Sequence, residues 1–275
     1  MEKYFNNFYE PHIAHYSQQD RIILQIRCHI GSLLSKGDFS GVEGVLRGVL
    51  FSDKELCVEV VTWENLWEQE RGTLLHEVLT KSPRDNDPPE SLLELLLDIA
   101  PDVIYARDVA NYSPLQFAIH QFGWGTPIKR SLDIIKMLVD ADTSKSTISS
   151  KIIQSAGWRK DEEVMRYLLS FEKGRSVLFT ENRWETPLFY ASRDFDVEKG
   201  KLSSFLQFFI TSCAQELVKQ HKAEPPKCSC LIGAINCCGN YLHDADLLRS
   251  IAKKDKALCC SGSSSSSSSS DDSNE

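Results

Sequence analysis

Apolar residues in this chain recur at intervals of three and four, and the spacing predicts an all-α fold. Ile22, Ile23, Ile26, Ile30, Leu33 and Leu34 mark a first helix, with Asp20 as its expected N-cap. The stretch Lys36-Gly37-Asp38-Phe39 breaks it, and Val42, Val45, Leu46, Val49 and Leu50 place a second helix over 40–50, closing a helix hairpin. Residues 57–67 are apolar but less regular and predict a third short helix. Leu75, Val78 and Leu79 belong to a helix that the proline-containing stretch 81–89 must end, because proline cannot continue it. Only Glu94 and Asp98 interrupt the apolar run 92–100, so that helix is expected to be covered on most sides. Further helical segments fall at 132–139, at 151–157 with 162–169, at 202–210 ending near Cys213, and at 231–235 with 246–251.

One local figure recurs. In Asp108-Val109-Ala110-Asn111-Tyr112-Ser113-Pro114-Leu115-Gln116-Phe117-Ala118-Ile119-His120, turn residues precede a helix start. Ser113 can cap the helix with its hydroxyl, and Pro114 suits the first helical position, where no backbone N–H is needed. Thr186-Pro187-Leu188-Phe189-Tyr190-Ala191 repeats the figure, and Thr73-Leu74-Leu75-His76-Glu77-Val78 is a weaker copy. Thr73 and Ser113 stand 40 residues apart, and Ser113 and Thr186 stand 73 apart, room for two units. Helix pairs at such a period predict a solenoid.

These residues resemble the ankyrin repeat, whose pattern is an acidic turn residue, Gly, Thr-Pro-Leu-His-x-Ala, a short loop, and a second helix ending Leu-Leu before a turn. Residues 92–103 and 138–142 are similar to its second helix and closing turn. The resemblance covers about residues 20–254, most strongly 68–142 and 181–210. It implies an ankyrin-type solenoid of about five or six repeats over 20–255, after an N-terminal arm at 1–19. The turn glycine of the family is replaced by Arg71, Asn111 and Trp184; Asn tolerates positive φ, whereas Arg and Trp do so reluctantly. The connections 81–90, 121–131 and 193–201 are longer than the family's.

Composition narrows the function classes. The chain of 275 residues is 41% hydrophobic and 25% charged with net charge −8, and no Lys/Arg run stands out, so no nucleic-acid partner is expected. The N-terminus has neither a basic n-region nor an apolar h-region, and the most apolar runs fall short of a membrane span. The expected location is the cytoplasm, or the nucleus. Nine cysteines, an odd number crowded toward the C-terminus, fit a reducing compartment. After Cys260 the chain holds Ser263–Ser270 and Asp271-Asp272-Ser273-Asn274-Glu275, with nothing to bury, and 256–275 is expected to be disordered.

No catalytic motif is complete. His76-Glu77 opens like a zinc-protease H-E-x-x-H, but Thr80 stands where the second His is needed; His76 instead occupies the family's turn-bracing position. Phe122-Gly123-Trp124-Gly125 lacks the lysine of a phosphate-binding loop. Cys228, Cys230, Cys237, Cys238 and His243 are the one metal-capable cluster, at a spacing that matches no common zinc module. Cys259-Cys260 could be acylated, and Ser268 and Ser269 have Asp271 and Asp272 three residues on, a context that suits acidophilic kinases. No cofactor, metal, membrane or small-molecule substrate is expected.

The resemblance implies a non-catalytic scaffold that binds a protein partner through the turn tips and the exposed side of the first helices. The family's variable positions fall on Val109, Ala110, Tyr112, His120 and Gln121 in one repeat, and on Asn182, Arg183, Glu185, Arg193 and Asp194 in another. Trp184 joins them, since Tyr, Trp and Arg dominate binding hot spots. The alternatives are a regulatory cytoplasmic ankyrin region of a larger protein such as a channel, and a zinc-bearing or redox protein using the C-terminal cysteines.

Overall fold

The computed structural model describes residues 16–63, 72–81, 87–119, 130–180, 186–193, 202–221, 223–226 and 230–254. Most of the expected arm and all of the tail at 256–275 lie outside them. Among the described residues every regular element is helical: fourteen α-helices, two 3-10 turns and no strand. None of these helices is long and apolar enough to cross a membrane.

The first three helices are α1 (Gln18–Ser35), α2 (Phe39–Ser52) and α3 (Lys54–Thr62). The N-cap of α1 is Ser17, not Asp20. Asp20 sits three residues in and completes a capping box: Ser17 Oγ accepts the Asp20 N–H at 3.1 Å, and Asp20 Oδ2 accepts the Ser17 N–H at 2.9 Å. Gly37 turns the chain with φ 71°, a conformation that costs glycine little, and Asp38 caps α2. Asp53 serves two helices, donating its N–H to Val49 at the end of α2 and accepting that of Leu56 at the start of α3.

Helix pairs then follow: α4 (Leu74–Lys81) with α5 (Glu90–Ile99), α6 (Pro114–Ile119) with α7 (Leu132–Ala141), and α8 (Ser150–Arg159) with α9 (Glu162–Ser170). After the single turn α10 (Glu172–Ser176) come α11 (Pro187–Arg193) with α12 (Ser204–His221), and α13 (Leu231–Cys237) with α14 (Ala245–Lys254). A 3-10 turn, Pro101–Tyr105, links α5 to the next unit. The first helices stack in chain order: α1 on α4, α4 on α6, α6 on α8, α8 on α11. Behind them α2 and α3 meet α5, α7 meets α9, and α9 meets α12. One apolar core, from Ile23 to Ala252, runs through the stack. Leu92, Leu93 and Leu96 of α5 are fully enclosed.

Two differences from the spacing have physical causes. Helix α12 continues two turns past Cys213, because Ala214 and Leu217 keep its apolar face buried. The turn α10 depends on Gly174, where a Cβ would lie 2.0 Å from the Leu168 carbonyl oxygen.

Buried charges tie neighbouring units together. Arg27 on α1 donates to the carbonyls of Val60 and Trp63, each at 2.9 Å, and pairs with Glu77 on α4. Arg130, fully buried ahead of α7, donates to the Leu79 carbonyl at the end of α4 at 2.8 Å and pairs with Asp87. Asp87 also accepts the Ser131 N–H at 2.9 Å.

Candidate partner-binding turn

The repeated figure folds as its residue types require. Ser113 Oγ accepts the Gln116 N–H at 3.2 Å, and Thr186 Oγ1 accepts the Phe189 N–H at 3.2 Å, so both act as N-caps before a proline. The turn ahead of Ser113 closes on itself. Asp108 N–H donates to the Tyr112 carbonyl at 3.0 Å, and Asn111 N–H to the Asp108 carbonyl at 2.9 Å. Asp108 Oδ1 accepts the Tyr112 N–H at 2.7 Å. Asn111 takes φ 65°, the positive value that asparagine tolerates. Burial raises the Asp108 carboxyl pKa, against the lowering effect of the Tyr112 and Ala110 N–H groups and of Arg107 and Lys151.

The preceding unit clamps this turn. The N–H of Thr73 donates to His76 Nδ1 at 3.2 Å, which leaves the imidazole proton on Nε2, 3.2 Å from the Tyr112 carbonyl oxygen. His76 therefore braces its own turn and the next one. Its ring meets Phe117 edge-on at 5.4 Å, and Tyr112 meets the same Phe117 at 5.9 Å. Burial lowers the His76 pKa to about 4, with Arg107 and Arg27 acting in the same direction and the bond to Tyr112 opposing them. The neighbouring Glu77 is held by Arg27, and the Thr80 hydroxyl donates to the His76 carbonyl at 2.8 Å. All three residues of the incomplete zinc motif thus have structural partners.

What the turn leaves outside is short. Val109 is 60% exposed, and Ala110 and Asn111 are exposed beside it. Tyr112 is half-buried, its ring covering Phe117. The expectation that the first helices hold out a free side is corrected for two of them. Every residue from Gly72 to Leu79 and from Ser113 to Ile119 is buried, because α4 and α6 are short and enclosed by the helices before, after and behind them. Arg193 is exposed at the end of α11. His120, Gln121, Trp124, Asn182, Arg183, Trp184, Glu185 and Asp194 lie outside the described residues.

The next turn is built around Asp142, which sequence reading passed over as a closing residue. Its buried carboxylate accepts the Thr147 N–H at 2.7 Å, the Ser144 N–H at 3.1 Å, and the hydroxyls of Ser144, Ser146 and Tyr105. Burial works to raise its pKa, and these bonds outweigh that and hold it well below the carboxylate range. Also unforeseen is the half-exposed pair Trp158 and Tyr190, 5.7 Å apart on α8 and α11.

The cysteine cluster divides. Cys228 lies outside the described residues, and Cys230 is disulfide-bonded. The thiols of Cys237 and Cys238 point at the Ala214 and Ile210 carbonyls of α12, and burial pushes Cys238 up to about 12. His243 donates its N–H to Ser192 Oγ and sets its ring against Phe189. Among the described residues no three metal-capable side chains gather. Comparison with family models, curated proteins and solved structures finds no match.

Proposed function

We propose that this chain is a divergent ankyrin-type solenoid acting as a non-catalytic scaffold, and that it binds a protein partner through its turn tips. The observation that carries this is the turn Asp108–Tyr112. It is closed by its own hydrogen bonds and clamped by His76, and it holds an apolar side chain, Val109, out to solvent. A rigid turn loses little freedom on binding, so contacts made at its tip are not cancelled by ordering. The stacking of first helices in chain order, with second helices behind, supports the repeat reading. The partner site then consists of Val109 and Ala110 with the edge of Tyr112. His120, Gln121, Asn182, Arg183, Trp184 and Glu185 belong to it by the family pattern.

Affinity capture from a native extract tests this, comparing the full chain with Val109→Asp/Ala110→Asp. The reading expects a defined set of proteins whose recovery falls at least about tenfold with the variant, since a buried charge at an interface centre is strongly unfavourable. Recovery unchanged by the variant would overturn it.

A further inference from the structure

A second site lies among α9, α10 and α12. A cleft of about 270 Å³ opens there. Leu169, Leu178 and Phe208 supply its apolar lining, and Arg166, Arg175 and Ser212 stand over it. The Arg166 guanidinium lies 3.9 Å from the centre of the Phe208 ring. This cation–π contact holds the guanidinium over the ring. One edge is used: Nε and Nη2 both donate to Glu162 Oε1, at 2.9 and 2.5 Å. Arg175 spends Nη1 on the carbonyls of Leu169 and Ser170, at 2.8 and 2.7 Å, and its Nε forms an ion pair with the largely buried Glu216 carboxylate at 3.8 Å, too long for a hydrogen bond.

The inventory of donors and acceptors is unbalanced. Among the described residues no acceptor meets Arg166 Nη1, Arg175 Nη2, the Ser212 hydroxyl or the Gln215 amide. Glu216 is the one carboxylate in the lining, and it already accepts from Gln220 at 2.5 Å. Two guanidiniums lining one cleft with a hydroxyl and an amide, beside an apolar floor, suit a tetrahedral dianion carried on a short stem, which must outcompete the carboxylate that each guanidinium faces. A carboxylate suits them less, since it offers two oxygens and one charge to two Arg forks, whereas a phosphate monoester offers three oxygens and close to two charges. Glu162 competes for Arg166, but that pair is open to solvent on the Arg166 side and correspondingly screened, so a dianion can displace it.

We infer that this cleft binds phosphate monoesters, and that the scaffold thereby recognises phosphorylated serine. Fluorescence anisotropy on the full chain tests it. The probe is a labelled peptide of residues 263–275 of this chain with phosphate on Ser268 and Ser269, and the same peptide without phosphate is the control. The phosphopeptide is expected to bind at least about tenfold tighter than the control, and Arg166→Gln to remove that difference. Glu162→Gln is expected to tighten binding severalfold, because it removes the competing carboxylate; general attraction by the whole protein would not show so large a response at one site. Ser212→Ala is expected to weaken binding without altering the unfolding midpoint. Displacement by inorganic phosphate at concentrations near the peptide's own would assign the site to free phosphate. Displacement only at concentrations about a hundredfold higher would assign it to peptide-borne phosphoserine. Equal binding of the two peptides, or phosphopeptide binding unchanged by Arg166→Gln, would overturn the inference.

Discussion

His76 of one helix pair donates from Nε2 to the Tyr112 carbonyl of the next, across 3.2 Å. The same carbonyl also accepts the Asp108 N–H of its own turn. One oxygen thus joins the internal closure of a turn to its attachment on the preceding unit. Replacing His76 with Ala removes the brace and leaves the buried Thr73 N–H without its acceptor. The expected cost is about 1–3 kcal/mol, read from urea unfolding.

The buried imidazole also makes stability depend on pH. Its pKa falls from 6.5 to about 4 on folding, so between these values the unfolded chain binds the extra proton. The stability it confers is complete above about pH 6.5 and is lost as pH falls through about 4, by roughly 3 kcal/mol. Asp108, with a raised pKa, acts in the opposite sense on acidification, and Asp142, with a lowered one, adds to the loss as pH falls through and below the ordinary carboxylate value. Comparing wild type with His76→Gln at pH 7 and pH 4.5 therefore isolates the histidine. The pH dependence is expected to shrink in the variant.

The ion pair between Arg27 and Glu77 makes a different kind of joint. Both side chains are almost fully enclosed. Arg27→Met strands a buried carboxylate and is expected to cost about 3–5 kcal/mol. The double variant Arg27→Met/Glu77→Met removes both charges and is expected to recover most of that loss in the same denaturation measurement.

Core and tip respond separately. Leu96 is fully buried, and Leu96→Ala is expected to cost about 2–5 kcal/mol. Val109→Ser, at the exposed tip, is expected to stay within about 0.5 kcal/mol of wild type. A Leu96→Ala loss below about half a kcal/mol would show that α5 is not core.

What sequence reading recovered was local. Ser113 and Thr186 cap where their types and the following prolines require, Asn111 takes the positive φ, and Gly37 breaks the first hairpin. Helix positions followed from apolar spacing for the same reason. What it missed depends on groups distant in the chain. Arg130 finds the Leu79 carbonyl across 51 residues, and Asp142 finds Tyr105 across 37. Nothing in either local sequence separates those side chains from ordinary surface charges. The burial of α4 and α6 was hidden too, since it depends on how closely neighbours pack. The cleft under Arg166 draws on three helices, and its cue in the sequence was confined to Glu162 and Arg166 four residues apart, a spacing common on any exposed helix.

The central claim is that the unit carrying His76 clamps the next turn, so that the tip is preset for a partner. The most direct measurement is the titration of His76 by NMR, following its ring protons in the full chain from pH 8 to pH 3.5. A buried, neutral imidazole bonded to the Tyr112 carbonyl gives a midpoint near 4. A midpoint near 6.5, the ordinary value for histidine, would mean an exposed ring and a turn that is not clamped.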